Sequence, residues 1–206
     1  MPNLSSERGE GHGEALKVDR LHVLVYPGFG VTMSGTVDER TQVLFDRYKR
    51  KAEEMQRDEF MFLLASHPPT TRSEHERYVH DRICELKEIL RQRMTMLSHG
   101  KRLFFPKDIE EDLLRAKAVA GARGFVIDRS TVAVVYGETF HACVPAAARA
   151  VEDAFALPME PVILAHETNI GYKKGETPEQ ERKRFAEIAP TILSTRAIVN
   201  WTVPKE

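Results

Sequence analysis

The sequence has few cysteines, one tryptophan and no long apolar segment. Its 206 residues include only two cysteines, Cys84 and Cys143, which excludes a disulfide framework and suits a reducing cytoplasm. A Cys-x-x-Cys pair is absent, so a structural zinc site is not expected. No apolar run approaches the roughly 18 residues that suggest a membrane-spanning helix. These absences predict a cytoplasmic protein without a metal, another cofactor or a membrane segment.

An excess of charge of either sign is also lacking. Lys and Arg number 30 against 31 Asp and Glu, which gives a formal net charge of −1. A nearly neutral chain has no overall field that would draw it to nucleic acid or to an anionic membrane. The expected partner is therefore a small-molecule ligand or substrate.

The sequence divides into a short polar tail and one long folded segment. The N-terminal residues are rich in Gly, Ser and Glu, and they predict a disordered tail over residues 1–18. Residues 19–206 are numerous enough to bury one sizeable core. We therefore expect a single domain in that range.

Short apolar runs alternate with helical patterns along the whole domain. This alternation predicts an α/β fold, a doubly wound and mostly parallel sheet of about five or six strands flanked by helices in a Rossmann-like three-layer sandwich. The predicted strands cover residues 21–26, 59–65, 102–105, 131–136, 161–165 and 198–201. The predicted helices cover residues 38–57, 73–97, 108–120 and 142–155, and one more begins at residue 177.

Ligands of open parallel sheets bind at the carboxyl ends of the strands, so the residues that follow each strand are candidates for a site. Tyr26 and His67 occupy such positions. A third such segment carries Cys143 near the start of an alanine-rich helix. Backbone N–H groups and the helix dipole favour the reactive thiolate there, whereas a small buried residue is the other interpretation of Cys143.

The turn before this helix has the sequence Gly137-x5-Cys143-Val144. It resembles the turn Gly-x-x-Thr-x-x-Cys-Val that carries the nucleophile in isochorismatase-like cysteine hydrolases. Phe140 stands at the position of the family threonine, with Thr139 beside it. The resemblance implies a hydrolase that acts on a small amide or a related substrate.

The resemblance also implies roles for individual residues. Cys143 would be the nucleophile, and Lys107, after the predicted strand 102–105, would support the thiolate or the developing negative charge. The backbone of residues 137–143 would supply oxyanion donors. The implied substrate-binding residues are Gly137, Thr139, Phe140 and His141, together with Tyr26 and His67.

One element of the family pattern is missing. The family has an Asp at the end of the first strand, where this sequence reads Val-Tyr-Pro-Gly over residues 25–28. Glu138, Glu167 and Asp108 are possible replacements, and we include Glu138 among the predicted catalytic residues. The alternatives are a non-catalytic ligand-binding or regulatory module of the same fold, and a subunit that forms a homo-oligomer through helix 73–97.

Overall fold

The computed structural model describes residues 15–65, 72–98, 106–138, 143–155, 161–168 and 198–200, together with residues 177, 179, 180, 183 and 187. The strands are β1 (Leu16–Lys17), β2 (Arg20–Val25), β3 (Glu59–Ala65), β4 (Met94–Ser98), β5 (Phe125–Val126), β6 (Val132–Gly137), β7 (Val162–Thr168) and β8 (Ile198–Asn200). The helices are α1 (Phe29–Ser34), α2 (Glu39–Glu54), α3 (Glu74–Leu90), α4 (Pro106–Ala122) and α5 (Cys143–Phe155). None of the helices in these ranges is long and apolar enough to cross a bilayer.

Six parallel strands form the main sheet, in the order β4-β3-β2-β6-β7-β8. The chain moves outward from β2 through β3 to β4, and then crosses back to place β6 on the other side of β2. This order is that of a doubly wound sheet whose direction of winding reverses between β2 and β6. The predicted fold class is confirmed, and the expected ligand crevice lies at the carboxyl ends of these two strands.

Alternate residues of the central strands face opposite layers of helices. On β2, Val23 and Val25 belong to the core cluster formed with α4 and α5, whereas Leu24 belongs to the cluster formed with α2 and α3. Strand β3 is buried at every position, as expected of a strand that is covered on both faces. The sheet is therefore the middle layer of a three-layer sandwich.

Local capping signals fix the beginnings of several helices. Asp38 accepts a hydrogen bond of 2.8 Å from the Thr41 N–H at the start of α2. Ser73 and Glu76 form a reciprocal capping box at the start of α3. Residues 177 and 180 also exchange both hydrogen bonds, at 2.8 and 3.3 Å, and so form a capping box where the sequence predicts that a helix begins.

The sequence-based helix over residues 73–97 is too long. Helix α3 ends at Leu90, Arg91 takes a left-handed φ of 51°, and residues 94–98 form β4. The apolar residues in 94–97 fit a helical pattern as well as a strand, and parallel pairing with β3 decides for the strand. The strand predicted at 102–105 lies outside the described residues.

Two further segments differ from the sequence-based assignment. Residues 29–34, which lie outside every predicted helix and strand, form the short helix α1. Leu16–Lys17, which were assigned to the N-terminal tail, pair in parallel with Phe125–Val126. Each partner strand is only two residues long, so neither produces an alternating pattern that could be recognised in the sequence.

Candidate functional site

The turn between β2 and α1 lies at the carboxyl edge of the sheet, beside β6. Tyr26 follows the strand with a left-handed φ of 46°, and its side chain is buried. Gly28 takes a φ of 79° as the residue before α1. Tyr26, which was predicted to contact substrate, therefore packs into the core next to this turn.

Glu138 connects the end of β6 to this turn. Its Oε1 accepts a hydrogen bond of 3.0 Å from the Gly28 N–H, and its Oε2 accepts one of 2.7 Å from the Gly30 N–H. Its own N–H donates to the Val25 carbonyl at 2.8 Å. Glu138 is 2% exposed. A carboxylate supplied by β6 thus sits at the end of β2, where the sequence itself provides none.

Gly137 is the residue that permits this contact. Its φ is 122°, and a Cβ at this position would lie 2.2 Å from the Val25 carbonyl oxygen. Only glycine fits such a close approach of β6 to the backbone of β2. Gly137, predicted as a substrate-binding residue, therefore has a defined role in directing Glu138 across to the neighbouring strand.

Cys143 is the first residue of α5, which agrees with its predicted place at the start of a helix. Its side chain is 2% exposed and belongs to the core cluster between the sheet and helices α4 and α5. The structure thus contains one feature that favours a reactive thiol and one that favours a buried structural residue. The helix start favours a reactive sulfur, and the burial favours a packing role.

Lys107 is the second residue of α4, and α4 packs beside α5. Both helices follow a strand of the parallel sheet, so both begin at its carboxyl edge. The backbone of Lys107 and Cys143 is therefore placed at the starts of two neighbouring helices. The side chain of Lys107 lies outside the described part of the structure.

Several predicted residues fall where the structure gives no description. His67, Thr139, Phe140 and His141 all lie outside the described ranges. Glu167 is one of the possible replacements for the family Asp. Its backbone lies within β7 and not in a loop after that strand. The geometry therefore joins the carboxylate of Glu138 to the β2–α1 turn, at the edge of the sheet where α5 begins. The other contacts remain predictions.

A cleft that the sequence did not reveal lies at the same edge of the sheet. It has a volume of about 360 Å³, within the range of small-molecule sites. The cleft opens where the end of α1 meets the beginnings of α2 and α3. Its described lining residues are Gly35, Val37, Gln42, Glu74, His75 and Tyr78. The sequence predicted where α2 and α3 begin, but not that these beginnings would meet.

A buried polar cluster occupies the opposite, amino-terminal edge of the sheet. His22 lies 3.4 Å from the Tyr136 hydroxyl through Nδ1 and 3.4 Å from Glu59 Oε2 through Nε2. Arg20 donates a hydrogen bond of 2.9 Å to Glu59 Oε1. Arg20 and Glu59 are the first residues of β2 and β3, so this cluster stabilises the base of the sheet and is remote from the carboxyl edge.

Burial and the neighbouring polar groups together set the pKa values of His22 and Glu59. Loss of water lowers the pKa of His22 below its ordinary value, although the Glu59 carboxylate, 3.4 Å from Nε2, acts in the opposite direction. Burial by itself would raise the pKa of Glu59, but the nearby His22 imidazole, the hydrogen bond from the Gln56 N–H and the Arg20 guanidinium outweigh it and lower that pKa. A neutral imidazole beside a carboxylate is therefore the favoured state near neutral pH.

No group of three or more His, Cys, Asp or Glu side chains within the described ranges is arranged to hold a metal ion. Comparisons of the chain with models of protein families, with curated proteins and with solved structures found no match. Inference about function therefore starts from Glu138, the turn after β2 and the start of α5.

Proposed function

We propose that this chain is a divergent isochorismatase-like hydrolase that cleaves a small amide or a related substrate through Cys143. The observation that carries the proposal is the position of the Glu138 carboxylate. It is bound to the turn after β2, which is where the resembling family has its first-strand Asp. Glu138 thus supplies from β6 the carboxylate that the sequence of β2 lacks.

In this proposal Cys143 is the nucleophile, Glu138 transfers protons, and Lys107 and backbone N–H groups stabilise negative charge. Glu138 accepts the proton of the Cys143 thiol, and the thiolate attacks the carbonyl carbon of the substrate. Glu138 then returns the proton to the leaving amine as the carbon–nitrogen bond breaks. Water, deprotonated by the same carboxylate, attacks the acyl carbon and releases the acid product as the carbon–sulfur bond breaks. The proton then passes from Glu138 to the departing thiolate. Lys107 and the backbone N–H groups of residues 137–143 stabilise the negative charge that develops.

The hydrogen bonds of Glu138 are compatible with this task. Each carboxylate oxygen accepts one backbone N–H, from Gly28 or Gly30. An ionised carboxylate offers about four acceptor positions, which is more than these two backbone N–H groups use. The two N–H donors also hold the carboxylate in one orientation, which a general base requires.

A second candidate function is supported by the burial of Cys143, which is 2% exposed and lies in the core. In that case the protein binds a small molecule without turnover. The cleft of about 360 Å³ beside α1, α2 and α3 offers a place for it. The two candidates differ in what Cys143 does, and mutation of this residue separates them.

The experiment measures the release of ammonia or amine from a panel of small amides by the purified protein. We expect turnover by the wild type, loss of turnover in Cys143→Ala, and a decrease of about 10²-fold or more in Glu138→Gln, since general-base catalysis contributes on that order. Cys84→Ser is the matched control, because Cys84 lies on α3 away from α5, and it should keep full activity.

Retention of turnover in Cys143→Ala would overturn the assignment of the nucleophile. A wild type that binds members of the panel, measured as a ligand-dependent increase in Tm, but releases no product would support the binding module instead.

A further inference from the structure

The second cysteine of the chain has a histidine and an aspartate beside it on α3. The sulfur of Cys84 lies 3.7 Å from Nε2 and 3.9 Å from Nδ1 of His80. His80 Nδ1 lies 3.2 Å from Asp81 Oδ1. These distances allow Cys84 to act as a nucleophile, His80 as its base and Asp81 as the group that orients the base. Such an arrangement activates thiols and hydroxyls in general.

The ring contacts indicate which nitrogen can act as the base. Asp81 Oδ1 accepts a hydrogen bond from His80 Nδ1, which favours the tautomer whose Nε2 carries no proton. Nε2 is also the nitrogen nearer to the sulfur. An acceptor for the thiol proton therefore lies 3.7 Å from the sulfur of Cys84.

This group is accessible from solvent. The side chains of His80 and Asp81 are 34% and 65% exposed, and Cys84 is partly exposed. The buried residues of α3 are Ile83, Leu86 and Leu90, so Cys84 flanks the packed stripe of the helix and is not part of it. Cys143, in contrast, is buried.

We infer that Cys84, His80 and Asp81 form a second thiol site, which exchanges with small disulfides. His80 Nε2 removes the proton from the thiol, and the thiolate attacks one sulfur of the small disulfide. The bond between its two sulfurs breaks, a mixed disulfide forms on Cys84, and the departing thiolate receives the proton from His80. Cys84 is oxidised and the small disulfide is reduced, so no other reactant is needed.

The inference is independent of the proposed hydrolase. It concerns a different thiol, on α3 rather than on α5. Loss of Cys84 reactivity leaves hydrolysis through Cys143 untouched, and a failure of the hydrolase proposal leaves the exchange at Cys84 in place.

The experiment uses the aromatic disulfide 5,5′-dithiobis(2-nitrobenzoate) on the native full-length protein at pH 7, with peptide mapping of the product. We expect labelling that peptide mapping assigns to Cys84 and that is absent from this position in Cys84→Ser. His80→Gln removes the group that accepts the thiol proton and should slow the labelling about tenfold. His75→Gln is the matched control on the same helix and should label at the wild-type rate.

Asp81 acts through His80 as a positioning residue, and its variants test that role. Asp81→Asn should slow labelling severalfold, and Asp81→Glu should restore part of the rate, while the Tm of both variants stays close to that of the wild type. Equal rates of labelling at Cys84 in the wild type and in His80→Gln, or an absence of labelling at Cys84, would overturn the inference. Since His80 is a surface residue of α3, these variants are expected to fold.

Discussion

At the scale of single residues, the central feature is the carboxylate of Glu138. It satisfies two backbone N–H groups in a turn that follows a different strand. A buried N–H group that loses its acceptor costs free energy, because water cannot replace the lost bond. Glu138 therefore contributes to stability whether or not it also contributes to catalysis.

The first prediction concerns this contribution. Glu138→Ala leaves the N–H groups of Gly28 and Gly30 without their acceptor, and we expect the free energy of unfolding to fall by about 1–3 kcal/mol. Glu138→Gln keeps one carbonyl acceptor and should lose less. Urea unfolding measures both, with Glu111→Ala on the exposed face of α4 as a control near zero. An unchanged unfolding midpoint in Glu138→Ala would contradict the hydrogen bonds described here.

At the scale of secondary structure elements, the contact between the ends of β6 and β2 positions the site. The two strands pair in parallel from Arg20 opposite Val132 to Val25 opposite Gly137. The last pair is so close that no side chain fits on the β6 side. The carboxyl end of the sheet is therefore held together at the point where the winding reverses.

The second prediction tests this close approach. Gly137→Ala places a methyl group against the Val25 carbonyl and requires a left-handed φ of an alanine, so we expect a loss of about 3 kcal/mol or more. Gly121→Ala is the matched control, since Gly121 lies in α4 with no atom near its Cβ position. That variant should be neutral or more stable by about 0.5–1 kcal/mol. In thermal unfolding, the Tm of Gly137→Ala should therefore fall, whereas the Tm of Gly121→Ala should stay unchanged or rise. Similar Tm values for the two variants would contradict the prediction.

The elements also show what the sequence could predict. The starts of α2 and α3 follow from Asp38 and Ser73, because a cap is a contact between residues three apart. The end of α3 does not follow, because the apolar residues after Leu90 fit a helix until β3 offers them a partner strand. Local chemistry therefore predicts where a helix begins, and tertiary pairing decides where it ends.

At the scale of the whole molecule, the cluster of His22 and Glu59 links stability to pH. The pKa of His22 is lowered in the folded state by burial, so between that pKa and the ordinary value of 6.5 the unfolded chain binds the proton more tightly. The pKa of Glu59 is lowered as well, since its hydrogen bonds outweigh the effect of burial. The stability that ionised Glu59 contributes is therefore fully present above its ordinary pKa of 4.5. It is lost as the pH falls through the pKa of Glu59 in the folded state. Both groups destabilise the fold on acidification.

The third prediction follows from this loss of stability on acidification. The free energy of unfolding should be at its full value above pH 6.5, decrease as the pH falls below 6.5, and decrease further below 4.5. His22→Gln should remove the first of these two decreases, because glutamine does not titrate. Urea unfolding between pH 4 and pH 8 measures this, with His80→Gln as a surface control that keeps the wild-type profile. A profile in His22→Gln equal to that of the wild type would assign the pH dependence to other groups.

The whole fold was more predictable than the site. Alternation of strands and helices, and a strand as uniformly apolar as β3, indicate a covered parallel sheet without further information. The site depends on Glu138 meeting Gly28, and these residues are 110 positions apart in the chain. Nothing local to Glu138 reveals which turn its carboxylate reaches, and the sequence therefore left the replacement for the missing first-strand Asp open among three residues.

The fourth prediction tests the central claim, that the sulfur of Cys143 is available for reaction in the folded protein. The measurement is the rate of alkylation of Cys143 by iodoacetamide in Cys84→Ser protein, followed by mass spectrometry over a series of low urea concentrations. We predict alkylation in the native state at a rate independent of urea below the unfolding transition, and a slower rate when Glu138 is changed to Gln. A rate that rises with the unfolded fraction, so that Cys143 reacts only after the core opens, would contradict the proposed nucleophile.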